Sequence, residues 1–202
     1  MSLILEKIKK TREYLDYVEE HYNNVQKAFD MFLKRVDKVQ ELYNKDKEKY
    51  KDMYCNKYYD VVLYIADDWR YEALRQSVLE HDLSKLSHEE FIPYREHFFN
   101  IDNKEKELST LSFEKAWQHH KETNEHHWQN RTYYHKPIKG QELLWLQEII
   151  HNVLDWVAMA IKFNEPFDGY YNKNKSNMVF KENEKRDIEL LLELMCDKEL
   201  EK

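Results

Sequence analysis

Residues 15–43 read LDYVEEHYNNVQKAFDMFLKRVDKVQELY, and this stretch decides the fold. Leu15, Val18, Tyr22, Val25, Phe29, Phe32, Val36, Val39 and Tyr43 recur at alternating spacings of three and four. A repeat of about 3.5 residues lays them along one stripe of a helix, which predicts a long amphipathic helix over residues 1–50. Lys, Glu and Asp fill the other faces in near balance, as on a solvated surface. The stripe suits a helix packed on its own domain. It also permits a homodimer without requiring one.

The remaining 150 or so residues carry the same signature. The chain has 2 Gly and 3 Pro in 202 residues, where average usage gives about 14 and 10. Sandwiches and barrels need more turns than that, and no Gly-rich phosphate loop can be written from Gly140 and Gly169. With 42% hydrophobic and 14% aromatic residues, the chain is too apolar to be disordered. Further helices are expected over residues 58–80, with Val62, Ile65, Ala66, Trp69, Ala73, Leu74 and Val78 inward, and from Ser87, where Ser87 and Glu90 form a capping box. Others are expected over 113–124, 141–163 and 183–200, with loops at 131–140 and 164–177. The expectation is a single all-α domain over residues 1–202, a bundle of five to seven helices with a long N-terminal one.

Other features narrow the setting. Cys55 and Cys196 match no metal or redox spacing, so a reducing cytoplasm is expected. The first ten residues lack the apolar stretch of a signal peptide, and no window approaches the roughly 20 apolar residues of a membrane span. A formal net charge of −7 disfavours bulk nucleic-acid binding.

The chain holds 10 histidines, and their placement points to metal chemistry. His21 flanks the apolar stripe, His81-Asp82 closes the second helix, and His119-His120 and His126-His127 follow. Asp155 sits in the apolar run Val153-Leu154-Asp155-Trp156-Val157. Neutral imidazole and carboxylate suit zinc, iron, manganese and nickel alike. At about 100° per residue, His120, Asn124 and His127 share a helix face, and His126 joins them only if the helix ends first. An Asp on an apolar face needs a partner, which a cation supplies. His119 is expected to face elsewhere, His88, His97 and His135 to lie on the surface, and His151 is ambiguous.

The order His21, His81-Asp82, His120, His126/His127, Asp155 resembles the HD superfamily of metal-dependent phosphohydrolases, in its extended, binuclear form. His81-Asp82-Leu83-Ser84-Lys85 looks like the family's His-Asp-x-x-Lys segment. The pair His126-His127 is similar to that of the HD-GYP branch, whose Gly-Tyr-Pro segment has no counterpart here. Several segments also resemble a domain family of unknown function from bacterial and phage genomes. They are His21-x-x-x-Val25, His81-Asp82-x-Ser84-Lys85, Glu90-Phe91-x-x-Tyr94, Ala116-Trp117-x-x-His120-x-x-x-Asn124-x-His126-His127-Trp128 and Asp155-Trp156-x-Ala158-Met159.

The HD resemblance implies one or two divalent ions, with His21, His81, Asp82 and Asp155 holding the first. Asp82 would bridge to a second, held by His120 with His126 or His127. Metal-activated water would then hydrolyse a small-molecule phosphate ester, such as a nucleotide. Lys85 would offset phosphate charge, Asn124 would orient a ligand or substrate, and Glu90 and Tyr94 would line the rim. Similar helical scaffolds house di-iron oxygenases, which is one alternative. A non-catalytic interaction protein using the long first helix is another.

Overall fold

The stripe of the opening residues becomes helix α1 (Leu3–Lys45), unbroken over 43 residues, in a computed structural model that describes residues 2–134 and 142–201. Its buried register differs by one position at the start: Tyr14 is fully buried while Leu15 is 42% exposed. His21 also faces inward, one step before the expected Tyr22. The long helix is followed by α2 (Lys47–Lys51), α3 (Tyr59–Ala66), α4 (Asp68–Leu79) and α5 (Phe91–Phe98). Then come α6 (Asn103–Thr123), α7 (Glu142–Phe163), α8 (Gly169–Asn174) and α9 (Glu182–Cys196). Among the described residues there is no β-strand, and the fold is all-α. None of these helices is long and apolar enough to cross a membrane.

The nine α-helices among the described residues exceed the five to seven expected, and the differences have local causes. The single helix expected over 58–80 is broken at Asp67, which is extended (φ −87°, ψ 111°) and whose carboxylate caps α4 by accepting from Arg70 N. This break leaves Trp69 70% exposed rather than in the core. The capping box at Ser87 does not form, because α5 starts only at Phe91 and the Glu90 carboxylate turns inward. Residues 164–177 are not wholly loop, since they contain α8. Asn164 ends α7 in the left-handed region (φ 51°), and Glu165 N–H returns to Ala160 O at 2.9 Å. Of the loop expected at 131–140, Asn130–Tyr134 forms a π-helical turn. His135, Pro137 and Gly140 lie outside the described residues.

The chain divides into two compact units. The first comprises Met1–Asn23 and Glu80–Lys136, and so takes the start of α1 with α5 and α6. Its apolar cluster is Tyr14, Tyr94 and Ala116, flanked by Phe91, Phe99, Phe113 and Trp117. Asp102 caps α6 by accepting from Glu105 N at 2.8 Å. Asp102→Ala is expected to cost about 1 kcal/mol, lowering the melting temperature by roughly 2–4 °C, as calorimetry would measure.

The second unit comprises Asn24–Leu79 and Pro137–Lys202. Here Val25, Phe29, Phe32, Val36 and Val39 of α1 are buried as expected, as are Val62, Leu74 and Val78. Helix α7 is buried through Ile150, Val153 and Val157 and packs on α4 and α9. Buried Arg35 donates to Leu194 O (3.1 Å) and Asp197 O (2.6 Å), closing the C-terminal end of α9. Among the described residues, neither Cys55 nor Cys196 takes part in a disulfide.

Candidate metal centre

The centre of the first unit is a turn. After Glu80 the backbone passes through Asp82 in the left-handed region (φ 55°, ψ 22°), a conformation that only Gly, Asn and Asp adopt readily. A 3-10 turn, Leu83–Leu86, follows at once. This sharp reversal keeps His81, Asp82 and Lys85 inside, each at most 6% exposed.

The two oxygens of Asp82 face different histidines. Oδ2 lies 3.5 Å from His21 Nε2 and 3.3 Å from His81 Nε2, and these two nitrogens are 2.9 Å apart. Oδ1 lies 3.3 Å from His120 Nε2 and 3.5 Å from His126 Nε2. These nitrogen–oxygen separations exceed the roughly 2.7–3.2 Å of a good hydrogen bond. They match instead the edge of about 3.4 Å between ligands on a tetrahedral ion with bonds near 2.1 Å. Asp82 Oδ1 is buried with no hydrogen-bond partner. His21, His81 and Asp82 form one group whose donor atoms lie within 4.8 Å of one another, and Asp82, His120 and His127 form a second. The two groups share Asp82, and the imidazole and carboxylate donors fit a divalent cation in each.

Charge within the cluster is tightly coupled. Burial pushes the Asp82 carboxyl upward, yet the neighbouring charges of His81, Lys85 and His120 outweigh it and hold the group well below the usual carboxylate range. Lys85 Nζ sits 2.6 Å from Asp82 Oδ2, and the Tyr14 hydroxyl donates to Lys85 O at 3.0 Å. Burial opposes a charged His120, but Asp82 and Glu90 push it up to about 9.

The end of α6 decides how many imidazoles reach Asp82. The helix stops at Thr123, and Asn124 leaves it in extended conformation (φ −105°, ψ 104°) with its N–H on His120 O. The condition for His126 to join is therefore met, and it is 3% exposed. His127 follows it, with its ring centre 4.8 Å from that of His120. Asn124 Nδ2 donates to Ser84 Oγ at 2.8 Å, and that oxygen lies 3.1 Å from His120 Nδ1. Tyr94 is buried against the His120 ring, with centroids 5.8 Å apart, so it is a wall residue rather than a rim one. Glu90 is also wholly buried rather than at a rim.

Asp155 lies on α7 in the second unit, half-buried, and His151 lies one turn before it, buried. His88 is exposed, as expected. His97 instead stacks on Phe113 with ring centres 4.1 Å apart. The residues that sequence reasoning missed are Ser84, Tyr14 and His119. Contrary to expectation, His119 faces the cluster, with Nδ1 2.8 Å from Glu90 Oε1.

Fold and centre together define an all-α protein built around a buried carboxylate ringed by histidines. The chain belongs to the family described as "Family of unknown function (DUF5662)", whose model matches residues 10–201. No curated protein and no solved structure matches it.

Proposed function

We propose that this protein is a metal-dependent hydrolase of phosphate esters, nucleotides among them. The observation that carries the reading is Asp82, each of whose oxygens faces a separate pair of imidazole Nε2 atoms at 3.3–3.5 Å. His21 and His81 would hold one divalent ion with Asp82, and His120 with His126 or His127 would hold a second. When bound, such ions acidify water and neutralise phosphoryl oxygens. Lys85 supplies a buried ammonium whose backbone is fixed by Tyr14, a point charge suited to a phosphate. Asn124 at the end of α6 and Ser84 in the turn after Asp82 brace the His120 side.

Elemental analysis of protein purified without chelator or His-tag tests this, with His81→Ala beside it. The expected result is one or two equivalents of a first-row metal, lost or halved in the variant, and hydrolysis of a nucleotide or phosphomonoester panel by the wild type alone. Iron with oxygen uptake and no phosphatase activity would replace this reading with the oxygenase one. No metal after reconstitution with each ion would remove both.

A further inference from the structure

Among the described residues, Glu90 is the most deeply buried carboxylate. It is 0% exposed, whereas burying an ionised group is costly unless its oxygens are satisfied. At the sequence level it has an easier role as the N3 member of a capping box, worth roughly 1 kcal/mol to a helix. The fold leaves that role unfilled, and Glu90 turns inward to take one imidazole on each oxygen. His119 Nδ1 lies 2.8 Å from Oε1, and His120 Nδ1 lies 2.8 Å from Oε2.

Glu90 presents one oxygen to each ring at 2.8 Å, and a carboxylate can only accept hydrogen bonds. Each facing Nδ1 must therefore carry its proton, and His120 is left with Nε2 as its coordinating atom. That atom is the one 3.3 Å from Asp82 Oδ1. Ser84 Oγ and Asn124 Nδ2 also lie near His120 Nδ1, at 3.1 and 3.2 Å. The charged acceptor at 2.8 Å makes the stronger bond. His21 and His81 face the other oxygen of Asp82, Oδ2, at 3.5 and 3.3 Å.

We infer that Glu90 is a positioning residue that fixes the tautomer and orientation of His120, so that cation binding by the Asp82–His120–His127 group depends on it while binding by the His21–His81–Asp82 group does not. The inference rests on the metal reading above. A neutral amide at position 90 keeps at most one of the two acceptances and none of the charge. Outer partners of this kind typically change metal affinity by 10–100-fold.

The test is zinc titration of the metal-free full chain, wild type against Glu90→Gln, with circular dichroism as the fold check. The expected wild type binds two equivalents, and the variant binds one unchanged and the other at least about tenfold more weakly. In the zinc-loaded wild type, nitrogen-15 NMR should find His120 protonated at Nδ1 and ligated at Nε2, a signature that a merely structural role would not move. Should Glu90→Gln not fold, Glu90→Asp keeps the charge but falls one methylene short of spanning both rings, and the same selective loss is expected. Two equivalents at wild-type affinity in a folded variant would overturn this inference alone, as would a wild type holding one cation that neither variant disturbs. A wild type that binds no zinc would overturn the metal reading and this inference with it.

Discussion

Asp82→Asn is expected to strip the protein of divalent cation, lowering its affinity by more than the roughly hundredfold that marks the upper end for residues acting on a ligand from outside. Asn adopts the left-handed backbone that Asp82 requires (φ 55°), so the loss reports on charge rather than strain. The same variant should destabilise the metal-free protein. Lys85 Nζ, 2.6 Å from the carboxylate and with a side chain only 8% exposed, loses its counter-charge. Stranding one member of a buried pair costs about 3–5 kcal/mol. Adding Lys85→Met should recover much of that stability without restoring cation uptake. Chemical denaturation and metal analysis of the single and double variants would separate the two effects. An Asp82→Asn protein that keeps its metal and its stability would remove Asp82 from the centre.

The second large effect is expected in the other unit, at Arg35. Its side chain is 4% exposed, and its Nη1 serves Leu194 O and Asp197 O at the end of α9. Hydrogen bonds to charged donors contribute about 1.5–3 kcal/mol each, and a cation at a helix C-terminus adds a few tenths. Arg35→Ala should therefore cost about 3 kcal/mol, a fall of roughly 6–12 °C in melting temperature for a chain of this size. Arg35→Lys should restore only part, because a flexible ammonium stem is not pre-organised as the planar guanidinium is. A fall of less than about 2 °C in the alanine variant would show that other groups close this helix end.

Much of this architecture was legible because it follows from periodicity. The stripe from Val25 to Val39 and the apolar α7 lie buried as the 3.5-residue repeat predicts. Breaks were harder to read. Asp67 interrupts a helical pattern through a single capping carboxylate, and nothing in spacing separates it from an exposed helical Asp.

The cluster was legible as a set of residue types. His21 and His120 enter it from helices, whereas His81 and Asp82 enter from the turn after α4, and His126 and His127 from the chain beyond α6. The supports around them were not legible. His119 and His120 are adjacent, so helical geometry turns them about 100° apart, and only a carboxylate entering from another segment can serve both. Glu90 looked like a cap because the capping-box pattern is local, whereas its partners lie 29 and 30 residues away.

The stop at Thr123 has a bearing on valency. Had α6 run one more turn, about 100° per residue would have carried His126 some 120° away from His120. Because the helix halts at Asn124, His126 swings to 3.5 Å from Asp82 Oδ1. The denticity of the pocket is thus written in the position of a helix terminus. A lineage, or an engineer, could change how many nitrogens meet that carboxylate by moving one C-cap, with every histidine left in place.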